Sequence, residues 1–252
     1  MPAPSSGPLA AMTAVETKLF LRDPGAPITV VGIPIALLLV FGLMPGVREP
    51  SAEYGGRSAL ATVIAPISVA ILLAMLALTL FPVVIATYRE KGVLRRFAAG
   101  PVSPALLLTA QLIVNLLAAV VVLLLVLVLG AGALGMALPE NPAGYALVAV
   151  LGTAALFSVG MLIAALARTA RTAGGVGALA FFPMLALGGV WVPKEKLPVF
   201  LQHAADVLPL GGTLNGLRET AAGGSPQAIQ LVALVVTALV FAGLSARFFR
   251  WQ

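Results

Sequence analysis

The sequence predicts an all-α integral membrane protein, and two observations carry that prediction. Six stretches, residues 24–47, 58–88, 97–139, 141–167, 172–193 and 220–246, contain no Asp, Glu, Lys or Arg. Each is at least about as long as the roughly 20 apolar residues a helix needs to cross a bilayer core. The charges between them are also sorted by side. If the N-terminus is cytoplasmic, the inner segments hold Lys18, Arg22, Arg89, Lys91, Arg95, Arg96, Arg168, Arg171, Arg247 and Arg250 against Glu16, Asp23 and Glu90. The outer segments hold Arg48, Arg57, Lys194, Lys196 and Arg218 against Glu49, Glu53, Glu140, Glu195, Asp206 and Glu219. The positive-inside bias therefore puts both termini in the cytoplasm of a multi-pass protein of the cell membrane.

Composition narrows the chemistry. There is no Cys, so thiol catalysis and cysteine metal sites are excluded. With one His and no carboxylate inside any span, a buried proton relay or metal cluster is poorly supplied. The pI of about 10.3 raises the question of nucleic acid. The cations sit at span ends and form no basic, aromatic-interleaved face, so no nucleic-acid partner is expected and anionic lipid headgroups are the simpler counter-charge.

In chain order, residues 1–8 form a Pro/Ser/Gly tail expected to be disordered. The first ten residues carry no cationic n-region, so span one is expected to stay in the membrane. Residues 9–23 suit an amphipathic helix in the interface plane. Leu9, Met12, Val15, Leu19 and Phe20 fall near one face, Thr13, Glu16 and Thr17 lie away from it, and Arg22-Asp23-Pro24 ends it. Residues 24–252 form the membrane domain. Its spans are expected at about 28–47, 58–88, 105–133, 142–167, 172–192 and 227–246. Pro34 is tolerable in span one because neighbours can satisfy the freed carbonyl. Span two, at 31 residues, is about 46 Å long and must tilt, kink at Pro66 or Pro82, or project into water. Gly100-Pro101 and Ser103-Pro104 turn the chain into span three, Asn141-Pro142 opens span four, and Arg168 to Arg171 form a short basic loop. Arg247, Arg250 and an interfacial Trp251 close span six.

Two segments are not explained by spanning. Tyr88 to Phe97 is a dense charge cluster. It reads either as an ordinary positive-inside loop or as a short docking helix, with Glu90, Arg95 and Arg96 supplying charge and Val93, Leu94 and Phe97 an apolar anchor. Residues 194–217 place Leu197, Phe200, Leu201, Ala204 and Leu208 at helical spacing before Pro209, with a second short piece at Leu210 to Leu217. These are too short to cross and are expected as outer re-entrant or interfacial helices, a hairpin between spans five and six.

These features together closely resemble the type-2 membrane subunits of ATP-binding-cassette exporters. The resemblance rests on Leu21-Arg22-Asp23-Pro24, the six spans, Glu90-Lys91-Gly92 after span two, and Gly188-Gly189-Val190-Trp191-Val192-Pro193 followed by Leu197-Pro198, Leu201 and Leu208-Pro209. It implies a dimer, with a second copy of this or a related permease, that binds two copies of a cytoplasmic ATPase carrying ATP and Mg. The chain itself has no Gly-Lys pair and so no phosphate-cradling loop. It is therefore expected to hold no catalytic site and no cofactor. By resemblance, Arg89, Glu90, Lys91, Gly92, Leu94, Arg95, Arg96 and Phe97 belong to a coupling helix at 89–97, and Met12, Glu16, Leu19 and Arg22 to the interface helix beside it.

The family's route runs between the two copies along spans two and five. The resemblance puts Val190 and Trp191 near an apolar outer gate, where this sequence departs from a leucine pair. Phe81, Phe181, Phe182 and Met184 read either as cavity lining or as packing. Gly174, Gly175, Gly177, Gly188 and Gly189 in span five read as close helix packing at least as well as a functional element. Polar groups are sparse in the spans; Thr62, Thr79, Thr109, Gln111, Asn115, Thr153 and Ser158 are among them. A dry pathway favours a small hydrophobic or amphipathic cargo such as an antibiotic, drug or lipid over a glycan or glycolipid. Gln111 and Asn115, four apart, read as interhelical glue. A proton-coupled transporter lacks the midplane ionisable residues it needs. A serine hydrolase lacks the first Gly of its elbow at Phe157-Ser158-Val159-Gly160.

Overall fold

The computed structural model describes residues 7–23, 25, 28–98, 103–190 and 198–248. Most of the expected N-terminal tail, Pro24, Pro27, the Gly100-Pro101 turn, Trp191 to Leu197 and Arg250-Trp251 lie outside them. Helix α1 runs Pro8–Arg22, one residue into the expected tail. Pro8 suits the first helical turn because its missing N–H would have no intrahelical partner there. Then come α2 (Ile28–Gly42), α3 (Leu60–Glu90), α4 (Val93–Ala98), α5 (Pro104–Leu134) and α6 (Pro142–Leu166). The chain continues through α7 (Ala170–Leu187), α8 (Val199–Val207), α9 (Pro209–Ala221) and α10 (Ala228–Phe248).

Among the described residues, α3, α5, α6, α7 and α10 are long and apolar enough to cross a membrane. The first expected span is shorter than 28–47. Its α2 is five π-helical and ten α-helical residues, about 22 Å by helical rise, and it stops at Gly42. A Cβ on Gly42 would press on Leu134 and Leu60, so α2 meets its neighbours closely there. Met44 precedes Pro45, which disfavours a further helical turn. Beyond lies a feature the sequence did not announce, a two-residue antiparallel ladder of β1 (Pro50–Ser51) and β2 (Arg57–Ser58).

Burial orders the bundle. The apolar stretches of α3 and α6 are 72% and 61% buried, whereas those of α5, α7 and α10 are 17% to 28% buried. Helices α3 and α6 are central, and the outer three expose Leu, Val and Phe side chains as a lipid-facing surface does. The most extensive contact joins α6 to α10, and α9 lies buried against α6, α10 and the first half of α3. At the end opposite the charge cluster, Arg57 pairs with Glu140 and donates to the Ala221 carbonyl at 3.0 Å. Asn141 donates to the Gly224 carbonyl at 2.9 Å, so two loops are tied to the end of α9.

Pro66 and Pro82, the candidate kink sites of span two, share a local arrangement with Pro34. Each of Pro34, Pro66 and Pro82 is the second residue of an α-segment that follows a π-helical one: Ile28–Gly32, Leu60–Ile64 and Met75–Leu80. A proline has no N–H and its ring crowds the carbonyl four residues back, so widening the preceding turn relieves both problems. Accordingly the Phe81 N–H reaches five residues back to Leu76. Pro82 then has no N–H to give the carbonyls of Ala77 and Leu78. Those two carbonyls face Gly160 of α6 and Gly177 of α7, and a Cβ on either glycine would overlap them. Glycine is required because only a bare Cα lets helix backbones meet this closely. Close packing, one of the two sequence readings for the span-five glycines, therefore describes Gly177.

Gly160→Ala and Gly177→Ala should each force α3 away from a neighbour and cost about 1–3 kcal/mol. Thermal melts of the detergent-purified protein should fall for both. Gly132→Ala, whose Cβ would enter open space on α5, should leave the melt unchanged or raise it slightly.

Candidate functional site

The sequence-selected residues gather at the basic end of the bundle, where α3 ends, α4 follows and α1 lies alongside. The α3 helix closes at Glu90, and the Lys91-Gly92 turn reverses the chain with Gly92 at φ +67°. That left-handed conformation is accessible to glycine without steric cost. The Gly92 N–H donates to the Arg89 carbonyl at 3.0 Å, and α4 starts at once.

Side-chain directions in this segment divide it in two. Glu90, Lys91, Arg95 and Arg96 are exposed, and Phe97 is half-buried. Leu94 is fully buried and Arg89 turns inward. The Arg89 guanidinium donates to the Ala164 carbonyl at 2.7 Å and also to the Ala167 carbonyl. It thereby satisfies one of the terminal carbonyls of α6, which have no intrahelical donors, and that of the residue following the helix. Two residues expected on a docking surface, Arg89 and Leu94, instead anchor that surface to its own bundle.

Helix α1 departs further from its amphipathic reading. The sequence places Glu16 away from the apolar face, yet Glu16 is buried at 3% exposure while Val15 and Leu19 are about half exposed. Met12 is half-buried and Arg22 exposed. The carboxylate is held by two spans: Tyr88 Oη donates to Glu16 Oε2 at 2.7 Å, and Gln111 Nε2 donates to the same oxygen. Asn115 Nδ2 donates to the Gln111 carbonyl at 2.8 Å, fixing that turn of α5. A buried carboxylate is tolerable only when hydrogen bonds replace its water, and here they outweigh the face that hydropathy selects. The interhelical role expected of Gln111 has a partner that sequence alone did not supply. Two polar residues four apart in an otherwise apolar span were the signal that some polar group lay opposite.

The expected pathway residues disperse. Phe81 is buried against Phe157 of α6, ring centroids 5.7 Å apart and edge to face, so it belongs to the core of one chain. Phe181 is buried, Phe182 points outward beside it at 5.4 Å, and Met184 and Val190 are partly buried. Trp191 lies outside the described residues. Thr79, Thr109 and Thr153 each donate to the carbonyl four residues back in their own helix, and Thr62 to that of Ser58 in β2, just before α3. Ser158 donates to the Ala155 carbonyl, and Ser245 of α10 reaches the Ser158 carbonyl at 3.4 Å. The Thr hydroxyls and the Ser158 hydroxyl are thus engaged locally, whereas Tyr88, Gln111 and Gln230 bond across helices. A second polar cluster went unnoticed in the sequence. Asp206 of α8 accepts from Asn215 of α9 and Gln230 of α10 at 3.4 and 3.3 Å, and Gln227 donates to Glu219 at 2.7 Å. His203 is exposed, with Nδ1 2.9 Å from the Val199 carbonyl.

The described residues thus form a helical bundle with a central α3, a charged turn and short helix at its end, and an accessory helix latched beside them. The sequence model of the ABC-2 type transporter family matches residues 8–222, and the chain belongs to that family. It is a type-2 ABC transporter permease. No curated protein matches the chain.

Glu16→Ala would leave the Tyr88 hydroxyl and Gln111 amide buried without their acceptor, at about 1–3 kcal/mol. Limited trypsin digestion should then cut sooner after Lys18 and Arg22. Glu16→Gln should show an intermediate rate, and Leu19→Ala, on the exposed face, should digest like the parent.

Proposed function

We propose that this permease is the membrane half of an ATP-driven exporter that moves a small hydrophobic or amphipathic molecule, such as an antibiotic, drug or lipid, out of the cytoplasm or inner leaflet. Two permease copies work with two copies of a separate ATPase, which binds ATP and Mg. Both termini and the α3–α4 turn are cytoplasmic, by the charge asymmetry between the two sides. The membrane domain has six spans, with α2 as the first, and α8 with α9 as an outer re-entrant pair.

The observation that carries this reading is the division of α4 and its turn. Glu90, Lys91, Arg95 and Arg96 are exposed together on a platform that Leu94 and Arg89 anchor from within. An exposed charged face rigidly joined to the central helix is what a cytoplasmic motor needs in order to move the membrane half. Rim charges give register and encounter, and Phe97 supplies apolar contact. The cargo assignment is supported by the locally engaged Thr and Ser hydroxyls, which leave few hydrogen-bonding groups for a glycan.

The test reconstitutes the permease with a candidate ABC ATPase from the same genome. Arg95→Glu with Arg96→Glu should lose stimulation of ATP hydrolysis by hydrophobic drugs, by about tenfold or more, while its melt stays at the parental temperature because both side chains are exposed. Leu94→Asp should instead fail to fold. Full stimulation in the charge-reversed variant would sink the docking assignment.

A further inference from the structure

A cleft of about 670 Å³ opens at the basic end, between the ends of α3, α6 and α10. Arg89, Arg95 and Arg168 line it with Glu90, and Leu166 and Phe248 form an apolar wall. Leu166 and Phe248 are the final residues of α6 and α10 as described, and they are 59% and 47% exposed. The cleft therefore sits at the level where the apolar helices stop. Three cations against one carboxylate leave it electropositive. The carbonyl ends of three helices converge here and oppose an anion, each with at most about half a charge. Arg89 is engaged with the carbonyls of Ala164 and Ala167 at the end of α6, and two further guanidiniums, Arg95 and Arg168, are exposed and line the same space.

We propose that this cleft binds the phosphate of an anionic phospholipid, with Arg95 and Arg168 on the phosphate and Leu166 and Phe248 against the start of the acyl chains. Guanidinium forks match phosphate oxygens in pairs, and basic pockets between helix ends are suited to acidic headgroups. The apolar wall favours a lipid over a soluble phosphate, for which exposed Leu and Phe would offer nothing. Assigning the lipid to the inner leaflet rests on the orientation proposed above; the phosphate site itself does not. The site shares Arg95 with the proposed docking face, whereas Arg168 lies outside the α4 segment, so Arg168→Gln tests the lipid site apart from ATPase docking.

Binding to the full-length permease in mild detergent separates these points, with bound lipid read by native mass spectrometry. Phosphatidylglycerol should be retained in preference to phosphatidylcholine. Arg168→Gln should weaken that preference about fivefold, and Arg95→Gln with Arg168→Gln about thirtyfold, as expected for loss of one and two surface cations facing an anionic headgroup. Arg171→Gln, on the same side but outside the cleft, should change nothing, and all variants should keep the parental melt. Equal loss in Arg171→Gln, or none in the double variant, overturns the site. Displacement by equimolar inorganic phosphate overturns the lipid as ligand. Stoichiometric displacement by the ATPase reassigns the cleft to an acidic side chain of that partner.

Discussion

The bundle depends on one constraint: a helix buried in the membrane must satisfy every backbone carbonyl without water. Helix α3 meets this constraint at its hardest point. Pro82 withholds an N–H from the last third of α3, the most buried of the long apolar helices, the preceding turn widens, and the carbonyls of Ala77 and Leu78 face bare glycine Cα atoms on two neighbours. Helices α6 and α7 can approach α3 only because Gly160 and Gly177 lack side chains. The central position of α3 and the choice of its neighbours follow from the same few atoms.

At the basic end the structure uses charge where the middle uses packing. Arg89 closes the carbonyl end of α6, and Glu16 brings α1 against α3 and α5 through Tyr88 and Gln111. Tyr88 and Arg89 are consecutive residues, so the last turn of α3 is tied to α1 on one side and to α6 on the other. A force applied to the adjoining α4 would reach α1, α3 and α6 together. That makes the segment a suitable place for a motor to act, in keeping with the proposed ATPase docking, and it explains why a buried carboxylate is tolerated in a helix otherwise suited to the interface.

The expected site was partly legible. Exposed Glu90, Lys91, Arg95 and Arg96 follow from local rules: dense charge after a long apolar helix, then a glycine able to reverse the chain. The inward turn of Arg89 and Leu94 was not legible, since neither hydropathy nor charge says that α6 ends within reach with open carbonyls. For α1 the helical period did not sort the faces: Glu16 is buried on the side of half-buried Leu9, Met12 and Phe20, while Val15 and Leu19, grouped with those three by hydropathy, are exposed. The hydroxyl of Tyr88 lies 72 positions away along the chain and the amide of Gln111 is 95 away. The core position of Phe81 was not legible for a related reason, because an aromatic at helical spacing packs equally well toward a core or a cavity.

By itself the sequence determined that the chain is a helical membrane protein, where most of its long apolar helices run, which ends are basic, and which family pattern it carries. Length, hydropathy and local charge set these properties, and they need no knowledge of neighbours. Only the tertiary structure decided the rest: that α2 stops at Gly42, that α9 is buried against α6, that Glu16 faces inward, and that Gly160 and Gly177 meet the carbonyls around Pro82. Each of these depends on a group distant in sequence that supplies either a hydrogen-bond partner or the space left by a missing side chain, and such pairings exist only once the helices are assembled.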